Sequence, residues 1–163
     1  MSIPEGIKKA AVLCVLKHQE VFLLLKRLKE PNRGLYTPVG GKLDPYENPI
    51  TAAIRETQEE TGIDVPSMKY CGMLVESSPT KYNWISFVYV AEIQRVPPPP
   101  CNEGTLEWID FSKVLNLPTP KTDWFIYHYI LESDPFAFHA DFDDQLNLLC
   151  MVDALTDEVV YPT

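Results

Sequence analysis

The stretch GKLDPYENPITAAIRETQEETGI, Gly41 to Ile63, predicts one helix with well-marked ends. Asn48 suits the N-cap, where its side chain accepts a backbone hydrogen bond, and Pro49 suits the first helical position. Gly62 suits the left-handed residue that follows a helix. Apolar or small residues recur every three or four positions between these ends. They predict a buried stripe of Ile50, Ala53, Ile54, Thr57 and Thr61.

The opposite face of this helix is acidic near its C-terminal end. Glu56, Glu59 and Glu60 stand at positions i, i+3 and i+4, which places them on one face. Their repulsion and the negative end of the helix dipole together cost roughly 1–3 kcal/mol, and Arg55 offsets only part of this by reaching Glu59. A group outside the helix is therefore expected to stabilise the carboxylates. A divalent cation fits, because Mg²⁺ prefers oxygen ligands.

From Gly41 the spacing is G-x5-E-x7-R-E-U-x-E-E-x-G-U, where U is a bulky apolar residue, and it resembles the signature of the Nudix hydrolases. These enzymes cleave a nucleoside diphosphate linked to another group. The matching positions are Gly41, Glu47, Arg55, Glu56, Glu59, Glu60, Gly62 and Ile63. Thr57 departs from the pattern, which has an apolar residue there, and this affects packing more than chemistry. The resemblance implies one Nudix hydrolase domain over residues 1–163 with that family's α/β (α+β) fold, an α/β/α sandwich whose mixed β-sheet is flanked by helices.

The resemblance also implies roles for the signature residues. Glu56, Glu59 and Glu60 are the metal-ligand and base positions, and the Gly40 carbonyl is a further ligand, since adjacent glycines allow close backbone approach. The expected metal is Mg²⁺, with Mn²⁺ as a substitute. Arg55 orients a glutamate through a charge-assisted hydrogen bond. The expected catalytic residues are Arg55, Glu56, Glu59 and Glu103.

The general base stays open between the signature and later loops. Glu103, in NEGTLEW, resembles a loop acid that some relatives place near the metals, and an ordinary surface glutamate explains it equally well. The positions expected to contact the ligand are Gly41, Lys42, Glu47, Tyr82 and Trp84. Lys42 belongs to a basic group that is either a rim for phosphates or a solvated loop, namely Lys26, Arg27, Lys29, Arg33 and Lys42. Trp108 is interpreted as structural.

The substrate class is narrowed by two segments. NRGLYTPVGGKL resembles the MutT-type branch, which hydrolyses nucleoside triphosphates, oxidised purine ones included, to monophosphate and pyrophosphate. Against the oxidised purines, LPTPKTDW lacks the paired acids that some relatives use to read the base. Pro120 and Lys121 stand there, with Asp123 displaced.

Four alternatives to a triphosphate hydrolase remain open. Pro79 favours ADP-ribose or a nucleotide sugar as substrate, and Tyr82 favours a dinucleotide polyphosphate. A nucleotide-sensing Nudix domain without activity would be expected to lose signature carboxylates, and this chain keeps them. An interaction protein whose acidic helix binds a basic partner would show no selective Mg²⁺ dependence.

The rest of the chain predicts strands and helices around the signature. AAVLCVLK and VFLLLKR predict a hairpin. Glu30–Leu43 predicts a loop that an extended stretch interrupts at Leu35-Tyr36-Thr37. The other predicted strands are Lys69–Glu76, Trp84–Ile93, Leu106–Asp110 and a terminal hairpin of Phe136–Phe142 with Leu146–Val152. The other predicted helices are a turn at Phe111–Leu115 and an amphipathic helix from Thr122 to Ser133.

Composition limits the partners. The net charge of −9 argues against duplex nucleic acid and anionic membranes. No signal peptide or membrane-spanning run is evident, and four widely spaced cysteines favour reduced thiols, so the expected location is cytoplasmic. The expected partner is a nucleotide substrate, and the expected assembly is a monomer or a homodimer.

Overall fold

The predicted first hairpin lies at the centre of one mixed sheet and consists of β1 (Lys9–His18) and β2 (Val21–Arg27). Successive side chains of a strand point to opposite faces. Val12 and Cys14 therefore pack into one apolar cluster, while Val15 packs into another on the opposite face. Because β1 is covered on both faces, its sequence is almost continuously apolar.

A computed structural model describes residues 2–162 of the chain. The further strands are β3 (Tyr36–Thr37), β4 (Val39–Lys42), β5 (Lys69–Ser77), β6 (Trp84–Glu92), β7 (Pro100–Cys101), β8 (Gly104–Asp110), β9 (Phe136–Phe142), β10 (Leu148–Asp153) and β11 (Glu158–Tyr161). The helices are α1 (Pro49–Thr61), α2 (Phe111–Val114) and α3 (Lys121–Leu131). The strands and helices predicted from the sequence are all present, with small shifts at their ends.

The sheet runs in the order β11-β10-β9-β5-β6-β1-β2-β8-β7, with β3 paired to β2 and β4 paired to β1. The β1–β6 and β5–β9 pairs are parallel and the others are antiparallel. β4 pairs with the first half of β1, opposite residues 11–14. This pairing brings the Gly40-Gly41 backbone to the centre of the sheet, beside α1.

Helices cover both faces of the sheet. Ala52 and Ala53 of α1 are fully buried in the cluster that contains Val12 and Cys14. α2 and α3 cover the opposite face, where Tyr127 is fully buried in the cluster that contains Val15. The predicted mixed sheet flanked by helices is confirmed.

The terminal segment forms β11 and completes the sheet edge beside β10. Two local expectations differ from the structure. Glu30–Leu43 was expected to be a loop, but its end forms β4. Glycine has a low strand propensity, and pairing with β1 overrides it. Within the expected stripe of α1, Ile50 and Ile54 are only half-buried, because the small Ala52 and Ala53 let the helix approach the sheet most closely on their side.

The helices within residues 2–162 are all too short or too polar to cross a membrane. The four cysteines are free thiols, and Cys14 is buried beneath α1.

Candidate active site

The two caps of α1 fix the position of the helix, and with it the directions of its buried face and its acidic face. The Asn48 Oδ1 accepts a hydrogen bond from the Thr51 amide at 3.0 Å, as an N-cap should. Gly62 has φ 73° and its amide donates to the Gln58 carbonyl at 2.8 Å. Thr57 and Thr61 face the sheet, so Glu56, Glu59 and Glu60 lie on the side that borders β4 and solvent.

Arg55 holds the carboxylates of this region together. Its Nε and Nη2 donate to the two oxygens of Glu47, each at 2.8 Å, which is a bidentate pair. Its Nη1 donates to Glu56 at 2.9 Å and to Glu59 at 3.2 Å. Nη2 also donates to the Lys42 carbonyl at 3.0 Å, which ties α1 to the end of β4. One guanidinium thus positions three carboxylates and a strand end.

The charges of this cluster shift its pKa values in opposite directions. The hydrogen bonds from Arg55 lower the pKa of Glu47 to about 2, and the bond to Glu47 raises the pKa of Arg55. Burial raises the pKa of Glu56, and the hydrogen bond from Arg55 only partly offsets this. Glu47 therefore stays ionised as the anchor of Arg55, whereas burial raises the pKa of Glu56.

Glu60 is the least satisfied carboxylate of the three. Its Oε2 is buried and has no hydrogen-bond partner among residues 2–162. Burial first, and then the Glu56 charge, raise its pKa to about 7, although the Gly40 amide and Arg27 act in the opposite direction. A buried carboxylate without a partner is costly, and a bound cation would supply one.

Gly41 leaves space for the Glu56 carboxylate. A β-carbon built on Gly41 would lie 2.5 Å from the Glu56 Cδ, so only glycine allows this approach. Across the described residues, 2–162, no group of three acidic, histidine or cysteine side chains stands at metal-ligand spacing. The fit to a divalent cation rests on the unpartnered Glu60 oxygen, the space at Gly41 and the all-oxygen donor set.

A cleft of about 810 Å³ extends from Glu60 across the sheet. Gly40, Gly41 and Lys42 line it together with Glu60. We call a second set of lining residues the aromatic half, namely Glu76, Tyr82, Trp84, Asp123, Phe142 and Leu148. One cleft is therefore lined both by a carboxylate of the signature helix and by aromatic side chains.

Of the residues expected to contact the ligand, Gly41, Lys42, Tyr82 and Trp84 line this cleft and Glu47 does not. Of the three glutamates expected to bind the metal, Glu60 lines the cleft, whereas Glu56 and Glu59 do not. The Tyr82 and Trp84 ring centroids are 6.3 Å apart in an edge-on arrangement, and the Lys42 Nζ lies 5.8 Å from the Trp84 ring. Of the five basic residues considered for a rim, Arg27 and Lys42 line the cleft. Glu47 is committed to Arg55 by both oxygens.

Glu103 and Trp108 lie outside the cleft lining. Glu103 is 4.0 Å from Arg27, its side chain is 43% exposed, and its charge raises the pKa of Glu60. It is therefore close to Arg27 and near enough to Glu60 to affect its pKa, but it does not line the cleft. Trp108 donates through Nε1 to the Val96 carbonyl at 2.7 Å and packs against the apolar cluster under α1, which confirms its structural role.

Sequence reasoning missed two acids and one wall of the cleft. LPTPKTDW lacks adjacent acids, but the fold brings Asp123 of that segment into the cleft together with Glu76 of β5. The signal was present: Glu76 continues the inward period of Gly72 and Leu74, and Asp123 lies on the buried face of α3 with Tyr127. The terminal hairpin supplies the missed wall, through Phe142, Leu146, Asn147, Leu148 and Tyr161.

Comparison with known proteins identifies the family. Residues 7–133 match the model of the NUDIX domain. The uncharacterized Nudix hydrolase YvcI of Bacillus subtilis (strain 168) is 31% identical over 126 residues, which cover 73% of this chain and 77% of that protein. An 8-oxo-dGTP diphosphatase of Proteus vulgaris is 37% identical over 83 residues, or 51% of this chain and 73% of that protein.

The fold is also similar to that of solved structures. The MutT protein from Bacillus halodurans has a TM-score of 0.80 and 24% identity, over 90% of this chain and 98% of that one. Together with the match over residues 7–133, the signature helix and its arginine-bound carboxylates show that this chain is an enzyme and belongs to the Nudix hydrolase family.

Proposed function

We propose that this enzyme hydrolyses the diphosphate linkage of a nucleotide, with a ribo- or deoxyribonucleoside triphosphate, oxidised ones included, as the substrate and a monophosphate and pyrophosphate as products. The observation that carries the proposal is the continuity of the cleft, which joins Glu60 and Gly40 to Tyr82 and Trp84. A nucleotide has the same two-part character, with anionic phosphates and an aromatic base.

The phosphate end would hold a divalent cation. Nudix hydrolases generally use divalent metals, and the candidate ligands here are the Glu56, Glu59 and Glu60 carboxylates with the Gly40 carbonyl. Mg²⁺, or Mn²⁺ in its place, would polarise a phosphoryl oxygen and lower the pKa of a bound water. The unpartnered Glu60 oxygen supports this assignment.

The protein's own groups would orient the reactants. Arg55, fixed by Glu47, holds Glu56 and Glu59 in place by charge-assisted hydrogen bonds. Arg27 and Lys42 line the cleft together with Glu60 and would neutralise phosphate charge. The base that accepts a proton from water is an acid of the signature, Glu56, Glu59 or Glu60, or the loop acid Glu103.

The aromatic half would hold the base. Tyr82 and Trp84 present ring surface to the cleft, and stacking on an aromatic side chain is tolerant of base identity. The similarity to an 8-oxo-dGTP diphosphatase supports a triphosphate substrate. A cleft with aromatic walls favours a heterocycle over a second sugar phosphate at this end.

The test is product release from a panel of purified nucleotides with Mg²⁺, with and without EDTA. The panel contains ordinary and oxidised dNTPs, ADP-ribose, nucleotide sugars and diadenosine polyphosphates. E56Q is the active-site variant, and E20Q, an exposed change in the first hairpin turn, is the matched control.

We expect metal-dependent pyrophosphate release from a triphosphate, lost in E56Q and kept in E20Q. A preference for ADP-ribose or a sugar nucleotide would change the proposed substrate class but not the proposed metal-dependent hydrolysis. Tight metal-dependent nucleotide binding without any turnover would overturn the hydrolase assignment in favour of a nucleotide sensor.

A further inference from the structure

Two carboxyl groups stand in the aromatic half of the cleft, where phosphates and metal would not require them. Glu76 is on β5 and Asp123 is in the first turn of α3, and each residue is 7% exposed. They come from segments 47 positions apart and line the same cavity. The fold thus assembles an acid pair that neither segment contains by itself.

Glu76 is held by its neighbours as a hydrogen-bond acceptor. The Tyr82 hydroxyl donates to the Glu76 Oε2 at 3.1 Å. Burial raises the pKa of Glu76 to about 7, and the Tyr82 hydroxyl and the Lys8 charge act in the opposite direction. Lys8 itself donates to Ser77 and Asn83, at 2.7 and 2.8 Å, so its ammonium is fixed beside β5.

Asp123 lacks such support. α3 begins after Pro120 without a side-chain cap, and Asp123 does not serve as one. Burial first, and then the Glu76 charge, raise the pKa of Asp123 to about 8, and no hydrogen bond from the described residues opposes either effect. Near neutral pH, Asp123 is therefore a protonated carboxyl group that can donate a hydrogen bond into the cleft.

The pair is unfavourable for the empty protein. The Asp123 carboxyl group opens onto the cleft without a hydrogen bond from the described residues, which costs stability because the residue is otherwise buried. An apolar residue of similar size would instead continue the wall made by Phe142 and Leu148. A ligand that supplies the missing partners would offset this cost. A neutral heterocycle with an acceptor beside a donor fits a protonated Asp123 beside an acceptor Glu76.

We propose that Glu76 and Asp123 form an acceptor–donor pair that reads the hydrogen-bonding edge of a neutral nucleobase and thereby sets the nucleotide preference of the enzyme. This inference rests on the proposed function only in taking the cleft as the nucleotide site. Tyr82 and Trp84 supply ring surface that every base can use, whereas the acid pair distinguishes bases by the order of donor and acceptor on the edge.

The pair makes base binding depend on pH in both directions. Below about pH 7 Glu76 gains a proton and becomes a weaker, neutral acceptor, and above about pH 8 Asp123 loses the proton that it donates. A plot of base affinity against pH should therefore fall on an acidic and on an alkaline limb, and both limbs are properties of the pair, because coupled groups titrate together. Other titratable groups face the pair: Lys8 and Tyr82 beside Glu76, and Tyr82 and Tyr127 beside Asp123. The remaining charged or titratable residues of the cleft are Arg27, Lys42, Glu60, Lys121 and Tyr161.

The test compares AMP and GMP with ribose 5-phosphate, which lacks the base, by calorimetry without metal. The phosphate titrates alike in these ligands, so its contribution cancels in the comparison. Affinities are measured from about pH 6 to about pH 9 for the wild type and for D123N, which replaces the titrating donor by a fixed amide donor. E76Q removes the acidic limb in the same way, and D134N, exposed at the other end of α3, is the matched control.

We expect the base-dependent part of the wild-type affinity to fall about tenfold on each side of its optimum, which is the size of one lost hydrogen bond in a buried site. D123N should lose the alkaline limb and E76Q the acidic limb, while D134N keeps both. D123L should lose about tenfold at every pH for AMP or GMP and nothing for ribose 5-phosphate.

Three results would overturn the pair. The first is equal affinity for the nucleotides and ribose 5-phosphate, the second is a D123N profile identical to the wild type, and the third is the same limbs with the base-free ligand. Failure of the proposed hydrolysis is separable, because product binding needs neither turnover nor metal. A chain that hydrolyses nothing but shows both limbs keeps the pair and rejects the hydrolase.

Discussion

Gly41 and Glu56 are in such close contact that a β-carbon on Gly41 would lie 2.5 Å from the carboxyl carbon of Glu56. The atoms it would meet are the movable end of a side chain. At the neighbouring Gly40 the added carbon would instead collide with the Val12 carbonyl oxygen, which belongs to the backbone of β1. The two adjacent glycines therefore serve different purposes, one in the site and one in the sheet.

Alanine substitutions should separate these purposes. G41A should fold, because Glu56 can swing away, but its turnover should fall about 100-fold, since displacements near 1 Å at a reacting centre cost this much. G40A should lower the melting temperature through damage to the β1–β4 pairing. Turnover and thermal unfolding of both variants check this. An active G41A, or a G40A as stable as the wild type, would contradict it.

Glu60 should make the metal-free protein more stable when it cannot ionise. Its pKa in the folded state, about 7, lies above the ordinary value of 4.5. The folded state thus holds the proton more tightly, so the free energy of unfolding falls as pH rises from about 4.5 to about 7. E60Q should be more stable than the wild type by on the order of 1–3 kcal/mol above about pH 7, and the difference should vanish below about pH 4.5.

Denaturant unfolding in EDTA across this pH range measures the difference. E59Q is the matched control, because the Glu59 side chain is 54% exposed and neutralising it removes little burial cost. In the presence of Mg²⁺, E60Q should be less active than the wild type, although it remains folded. An E60Q protein no more stable than the wild type at alkaline pH would contradict the assignment of an uncompensated carboxylate.

Replacing Arg55 by lysine should keep the positive charge but lower the activity. A single ammonium group cannot reproduce the bidentate pair with Glu47 while holding Glu56. R55K should therefore lower turnover by about 10- to 100-fold, the usual effect of removing a group that orients metal ligands. R95K, at an exposed arginine beside Trp108, should leave the kinetics unchanged. Steady-state kinetics of the two variants test this prediction. An equal loss of turnover in both would show that any arginine-to-lysine change has this effect, and it would contradict a specific role of Arg55.

Local signals in the sequence predicted the signature helix well and the acid pair poorly. Asn48, Pro49 and Gly62 mark the ends of α1 by short-range chemistry, and the structure shows each doing so. β4 was missed because strand pairing with β1, not the propensity of Gly40 and Gly41, determines its conformation.

Long-range contacts explain what the sequence left hidden. Glu76 and Asp123 line one cleft only because α3 packs on the face of the sheet towards which Leu74 and Glu76 of β5 point, and neither acid stands near another acid in its own segment. Both acids continue the buried period of their element, Glu76 in β5 and Asp123 in α3. An acid at a position that periodicity predicts to be buried is the signal that could have revealed each of them. Glu47 was expected to contact the ligand, which stays a prediction; in the structure both of its carboxylate oxygens accept hydrogen bonds from Arg55, and it does not line the cleft.

Metal removal should abolish activity and lower stability together, because one set of carboxylates serves both. A cation that binds only the folded state stabilises it by about 2.7 kcal/mol at 100 times its dissociation constant. Titration with Mg²⁺ should therefore raise the melting temperature of the wild type progressively, and EDTA should reverse the rise along with turnover. In an E56Q/E60Q double variant the rise should be absent, whereas E20Q should match the wild type, with sodium chloride at equal ionic strength as the salt control. If the double variant gained as much stability from Mg²⁺ as the wild type, the cation would bind elsewhere, and the carboxylate face of α1 would need another partner to explain its cost.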